Sequence, residues 1–243
     1  MLLISRKLFA LPLDQVYFQE FKYDSRYEPK IVCYTHILKP SRKLHGKKTL
    51  HIDLKQYEPD IFPYVSGKEI HLINENWNIS RFTHPTDKEI EEFQQFYNEK
   101  AKQMNARKLS NFDIQTMKLL REQGGLILTK VENEQKESIY YRAYVVGKEM
   151  VMALYNDIHD LTEMSTKQGA NYFLCCENMK HFCDEGYKIY DFGDIKELTK
   201  LEQLKEAFDG KLVTVFSGYI SKSFFSQMLL QLNLKGLKKR LSY

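Results

Sequence analysis

Between Gly169 and Ile195 the chain reads GANYFLCCENMKHFCDEGYKIYDFGDI, and no other stretch limits its fold as strongly. A long apolar run of helical character meets a short strand that ends in Tyr190-Asp191-Phe192-Gly193. Three of the four cysteines, Cys175, Cys176 and Cys183, lie on that helix, with Cys33 elsewhere. The stretch therefore poses a question: is the thiol-rich helix itself a chemical site, or is chemistry kept at its two ends? No C-x-x-C pair is present and no second ligand pair stands at zinc spacing, so no metal is expected. Free cysteines on a helix usually act as small hydrophobes, and packing is the expected role here.

The rest of the chain mixes strands and helices. Its first part holds LLISRKLFALP, DQVYFQEFKYD, KIVCYTHILKP and KTLHIDLKQY, each rich in β-branched or aromatic residues and each expected to form a strand. In TLHIDL, Leu50, Ile52 and Leu54 alternate with polar residues, the period of a half-buried strand. A helix is expected from about Pro59 to Asn74, with Pro63 disturbing its first turns.

From Asn76 the texture changes. A strand, NWNISRF, precedes the helix HPTDKEIEEFQQFYNEKAKQMNARK and a shorter helix, SNFDIQTMKLLREQ, which stops at Gly124-Gly125. Thr86 is the expected N-cap of the longer one, with Asp87, Glu89, Glu91 and Glu92 near the positive end of its dipole. Ile90, Phe93 and Tyr97 form its apolar stripe. Three strands follow, GLILTKVE, ESIYYRAYVVG and EMVMALYN. After them come the long helix, YKIYDFG, a helix over KLEQLKEAFDG and the strand KLVTVFSGYIS. The tail sets Phe225, Met228, Leu229 and Leu232 at helical spacing ahead of KGLKKRLSY. It reads either as a docked helix with a solvated basic face or as a segment that touches a membrane surface or an acidic partner.

At 243 residues, 43% hydrophobic and 28% charged, the chain has the profile of a globular protein with a real core. No apolar run is long enough to span a bilayer, and MLLISRKLFALPLDQ has neither the apolar length nor the cleavage site of a signal peptide. A cytoplasmic location with reduced thiols is the expectation. The formal charge of +4 is concentrated at the end: Lys222–Tyr243 carries five basic residues and no acidic one, leaving −1 for the rest. A broad basic platform for nucleic acid is not indicated.

The order from Asn76 to Ser221 resembles the GNAT superfamily of N-acyltransferases. The opening stretch, followed by LKEAFDGKLVTVFSGYI, resembles more specifically its Fem-type branch, the peptidyltransferases of cell-wall bridge synthesis and their relatives. Members of that branch carry an Asn-rich helix start, a Gly-Tyr turn, a Tyr-Asp-Phe-Gly strand end and a Phe-Lys-x-x-Phe-Gly-Gly-like helix. Here the last has become Leu204 to Gly210, and Asp194 stands where a second glycine is usual. The resemblance covers roughly the last four-fifths of the chain. It implies an α+β fold: a GNAT-like mixed β-sheet flanked by helices, with a partial N-terminal GNAT-like module. The expected division is 1–75 for that module, 76–222 for a complete catalytic module, and 223–243 for a basic amphipathic C-terminal helix.

The resemblance also implies that chemistry sits at the helix's ends while its cysteines fill the core. In the superfamily the loop before this helix wraps the pyrophosphate of an acyl carrier, usually coenzyme A. The matching positions are Thr166, Lys167, Gln168, Gly169, Ala170 and Asn171. A helix start offers free amides and a positive dipole end to such an anion. Thr166 replaces the usual Arg or Gln of that loop, and Asn171 the usual Gly or Ala. An ordinary capped helix start is the alternative. The donor to the growing oxyanion would be a backbone amide near Leu154, Tyr155 and Asn156, at the end of MALYN, and the strand ending YDFG is expected to splay from MALYN there.

Five residues are acid–base or binding candidates. Asp191 would be base or amine binder, with a structural carboxylate as its alternative. His159 has a side chain suited to proton transfer, although a lone loop histidine is often simply exposed. Tyr190 and Tyr155 are potential donors to the departing thiolate or, alternatively, packing residues. His36, in CYTHIL, is a possible substrate contact or a partly buried strand histidine.

Acyl-CoA and a nucleotide-linked amino sugar, dTDP-linked in the specific case, are the implied partners, with an acetyl or 3-hydroxybutanoyl group transferred. The rivals are an aminoacyl-tRNA-dependent peptidyltransferase and a non-catalytic ligand-binding module. Against the former stands the short N-terminal portion, with room for about half a module.

Overall fold

The structure, a computed structural model, describes residues 1–8, 11–18, 31–40, 42–55, 77–156, 166–195 and 197–221. Ten strands and four helices are found among them. They fall into two compact units, one of Met1–Lys48 with the chain from Thr214 onward, the other of Thr49–Val213.

In the first unit, β1 (Leu2–Leu8) and β2 (Leu11–Tyr17) form an antiparallel hairpin in register from Leu2↔Tyr17 to Leu8↔Leu11. The segment LLISRKLFALP is thus not one strand, as its composition suggests, but the first arm and the start of the second. Pro12 sits near the beginning of β2, where a missing N–H is tolerated. β3 (Ile31–Ile37) runs parallel to β2, and β10 (Lys211–Ser221) pairs antiparallel with β3. Gly218, at φ 148°, marks a break in that register between Phe216 and Gly218.

The second unit orders its strands β4 (His45–Asp53, from Thr49 on), β9 (Ile189–Asp191), β8 (Met150–Leu154), β7 (Ser138–Val146), β6 (Leu126–Glu132) and β5 (Asn78–Phe82). All neighbours are antiparallel except β8 and β9, which run parallel and are joined through α3 (Thr166–Asp184). A parallel pair needs such a crossover, and a helix is its usual form.

The helices follow their sequence signals. α1 (Asp87–Gln103) begins in a capping box: the Glu89 amide donates to Thr86 Oγ1 at 3.3 Å, and the Thr86 amide to Glu89 Oε2 at 2.6 Å. Ile90, Phe93 and Tyr97 are buried along it, as their spacing predicts. α2 (Asn111–Glu122) is started by Asp113, which accepts from the Ser110 amide at 2.7 Å and holds Arg107 in a two-point ion pair at 2.9 and 3.1 Å. Burial pushes the Asp113 carboxyl up, but those partners prevail and hold it below the usual range. α4 (Leu198–Phe208) ends in Asp209, at φ 45°.

α3 covers the face of β7 that carries Arg142 and Tyr144, and α1 the face that carries Tyr141. Beneath α3 lies the main core of this unit, where Leu50, Ile52 and Leu54 of the β4 segment meet Cys175, Cys176, Phe182, Tyr190, Phe192 and Phe208. Among the described residues no helix is long and apolar enough to cross a membrane. The helix expected over 59–74 and the tail from 223 lie outside the described residues.

Candidate functional site

β9 is only three residues long, yet it is paired on both sides. His51, Ile52 and Asp53 of β4 face Asp191, Tyr190 and Ile189, while Met150, Val151 and Met152 of β8 run alongside Ile189, Tyr190 and Asp191. Because side chains alternate across a strand, Tyr190 and Asp191 point to opposite faces.

The Tyr190 ring enters the core under α3. It lies 5.0 Å from the Phe192 ring and 5.9 Å from Tyr144, both edge to face. Its hydroxyl is 3.5 Å from Arg142 Nη1 and 3.5 Å from Cys175 Sγ. Burial raises that phenol well above its ordinary range, so it keeps its proton at neutral pH. Arg142 is fully buried and donates from Nε to Asn171 Oδ1 at 2.9 Å. The cysteines of α3 belong to this side. Cys175 and Cys176 are buried, and burial pushes the Cys176 thiol well above its usual value. A thiol that resists ionisation is a poor nucleophile, which answers for Cys176 the question its helix raises.

Asp191 turns the other way. Its Oδ1 accepts from the Gly193 amide at 2.7 Å and from the Thr49 hydroxyl, which also stands 2.9 Å from the Gly193 carbonyl. One hydroxyl proton serves two acceptors there. His51 Nε2 lies 3.5 Å from Asp191 Oδ2. Thr49, His51 and Asp191 share one face because β4 and β9 pair His51 with Asp191.

The turn after β9 closes onto β8. Gly193 takes φ 70°, and a Cβ there would sit 2.2 Å from the Ala153 carbonyl oxygen. The Asn156 side-chain amide donates to the Phe192 carbonyl and lies 3.4 Å from that of Ala153. The parting of YDFG from MALYN is therefore narrower than expected. The strands stay paired through Met152 and Asp191, and just beyond them Asn156 ties the two ends together. The left-handed Gly193 is what permits the approach. Tyr155, also left-handed at φ 57°, sends its ring against Phe93 and Tyr97 at 6.2 and 5.9 Å.

The structure thus brings Leu154, Tyr155, Asn156 and Asp191 together at one end of the β8–β9 pair. α3 starts at Thr166, as its expected cap region implies. Thr166, Lys167 and Gln168 are described as helical backbone alone. Gly169 and Ala170 are buried, and the Asn171 side chain turns inward to Arg142. What this helix start can offer an anion is the peptide nitrogens of its first turn, Thr166 to Gly169, whereas those of Ala170 and Asn171 lie beyond the first four and bond within the helix. His159 lies outside the described residues. His36 belongs to the first unit, buried at φ 52°, with its amide donating to Ser217 Oγ at 3.1 Å. No cluster of metal ligands occurs among the described residues.

Sequence reasoning passed over Thr49 and His51. The signal was present in TLHIDL: if Leu50, Ile52 and Leu54 face the core, Thr49, His51 and Asp53 share the opposite face. Arg142, a buried cation inside ESIYYRAYVVG, breaks an apolar run and was equally visible.

No family model matches this chain, and no curated protein does. Among solved structures, FemX is similar over 95% of this chain and 85% of its own, with a TM-score of 0.55 at 13% identity. The C-terminal domain of a putative lysylphosphatidylglycerol synthetase from Agrobacterium fabrum covers 85% of this chain, and 72% of its own length, at 14% identity and a TM-score of 0.48. L-PGS from Bacillus licheniformis gives 84%, 72%, 14% and 0.47. The FemX likeness shows that the two chains share a fold. Its reach over most of FemX also weakens the size argument drawn from the short N-terminal portion.

Proposed function

We propose that this chain is an N-acyltransferase that moves a short acyl group from coenzyme A to the amine of a nucleotide-linked amino sugar. The observation that carries the reading is the β8–α3–β9 unit: a parallel strand pair joined by a helix, with Asp191 and the Leu154–Asn156 segment at the pair's carboxyl ends. In α/β crossovers, ligands bind outside the carboxyl ends of the strands, where the helix also begins.

The parts take these roles. Peptide nitrogens of the first turn of α3, Thr166 to Gly169, grip the pyrophosphate of the donor, with Ala170 and Asn171 backing that turn. A backbone amide near Leu154, Tyr155 or Asn156 meets the oxyanion as the amine attacks the thioester carbon. With an α-amino-like pKa near 8, about a tenth of the amine is neutral at pH 7, a cost of about 1 kcal/mol. A modest base suffices. Asp191, itself buried, anchors the end of the strand pair where the amine is held, and His159 is a second candidate for that contact. Tyr190, engaged by Arg142 and Cys175 under α3, contributes by packing in this reading. The acyl group is acetyl or 3-hydroxybutanoyl, and the acceptor a dTDP-linked 3-amino-3,6-dideoxyhexose.

One observation favours a second reading. The FemX likeness runs through most of both chains, and the Fem-type enzymes that the sequence resembles take their acyl group from aminoacyl-tRNA.

A thiol-release assay with acetyl- and 3-hydroxybutanoyl-CoA against nucleotide amino sugars tests the first reading, with mass spectrometry of the acceptor as the check. Amide formation is the expected result. Transfer from charged tRNA alone moves the assignment to the second reading. Binding of coenzyme A with no transfer to any amine makes the chain a binding module.

A further inference from the structure

We propose that His51 is the proton acceptor of the transfer reaction and that Asp191 is its positioning residue, the two forming a dyad across β4 and β9. The proposal rests on the acyltransferase reading above and assigns its acid–base chemistry to a residue outside the expected set.

Three observations support it. His51 and Asp191 are Cα partners in the antiparallel β4–β9 register, so their side chains stand side by side on the face turned away from α3. His51 Nε2 is buried, has no hydrogen-bond partner of ordinary geometry among the described residues, and lies 3.5 Å from Asp191 Oδ2. Asp191 is held from behind: the Gly193 amide and the Thr49 hydroxyl both donate to Oδ1, which leaves Oδ2 turned to the imidazole. The imidazole keeps 11% of its side-chain surface open whereas the carboxylate has none, so the ring and not the acid can meet a substrate. Catalytic hydrogen bonds are often long until substrate is in place, and a 3.5 Å approach is within that pattern.

The orientation fixes the tautomer. With Nε2 facing a carboxylate, the proton sits on Nε2 and Nδ1 carries the lone pair. The neutral acceptor amine attacks the donor's carbonyl carbon, forming a C–N bond and an oxyanion. His51 Nδ1 takes the proton from the nitrogen. The intermediate collapses with cleavage of the C–S bond, and the same proton passes to the departing thiolate. The products are an amide and a thiol, and His51 returns to its starting state.

Two variants and one spectrum test this in the full chain. His51→Gln keeps an amide donor near Asp191 but has no basic nitrogen. It should fold, retain KM for the donor and lose kcat by about 10²-fold, the usual contribution of a positioned base. His51→Ala should regain part of that rate with added imidazole. Nitrogen-15 NMR of the histidines, with His51 assigned by its loss in His51→Gln, should show the Nε2–H tautomer in the wild type, disturbed in Asp191→Asn. An undiminished kcat in His51→Gln, or the Nδ1–H tautomer, overturns the dyad. A wild type inert to every donor while keeping the Nε2–H tautomer removes the transferase reading and the base role together. An active wild type with a normal His51→Gln removes the base role alone.

Discussion

Tyr190 and Asp191 are adjacent on a three-residue strand and both are fully buried, yet they occupy opposite environments. On the Tyr190 side the neighbours are rings, thiols and aliphatic chains under α3, with one enclosed guanidinium held by Asn171 and the Tyr190 hydroxyl. On the Asp191 side they are a hydroxyl, an amide and an imidazole, all aimed at one carboxylate. The difference teaches that burial alone does not separate a packed core from a cluster of polar groups in this protein. What separates them is whether buried polar groups converge on one carboxyl group at the carboxyl end of the strand pair.

The comparison can be broken by cutting into each side. Phe182→Ala removes a fully buried ring that packs on Tyr144 at 5.0 Å and Tyr187 at 5.8 Å. It should cost about 3–5 kcal/mol of stability in denaturant titration, while the folded fraction keeps its turnover. A large loss of turnover in the folded fraction would show that the two sides are not separable.

Gly193→Ala acts on the other side. Its new Cβ meets the Ala153 carbonyl, and its φ of 70° is strained for any L side chain. A loss of roughly 2–4 kcal/mol is expected from strain and overpacking together. Because the Gly193 amide also holds Asp191, turnover should fall even where the protein remains folded. Normal turnover at reduced stability would place that turn outside the site.

Cys176→Ala makes the smallest change. Losing a buried thiol should cost about 1 kcal/mol and leave catalysis intact, and the wild-type Cys176 should resist thiol reagents until the protein unfolds. Loss of activity without loss of stability would return the thiol to the chemistry.

Much of this arrangement was legible in the sequence because it depends on local signals. The Thr86 cap, the apolar stripe of α1, the Gly124-Gly125 stop and the strand order from Asn78 onward all follow from spacing and turn chemistry. Asp191 was singled out by its place at a strand end. The separation of β1 from β2 was missed because Leu8, Phe9, Ala10 and Leu11 are all apolar, so nothing in the pattern marks the break. The narrow closure between β8 and β9 was missed for another reason. It is made by the Asn156 side chain reaching a carbonyl 36 positions away, and no window along the chain brings those residues together. His51 falls between these cases. Alternation placed it on the polar face of its strand, but only the pairing with β9 puts that face against Asp191.

The claim beneath all of this is that the amides opening α3 grip a phosphorylated acyl carrier and present its acyl group at the Asp191 end of the strand pair. A crystal structure with coenzyme A tests it most directly. The pyrophosphate should lie within hydrogen-bonding distance of the first-turn peptide nitrogens, Thr166 to Gly169, with the thiol directed toward Leu154–Asn156. A carrier lodged at any other surface, with those nitrogens left untouched, would contradict it.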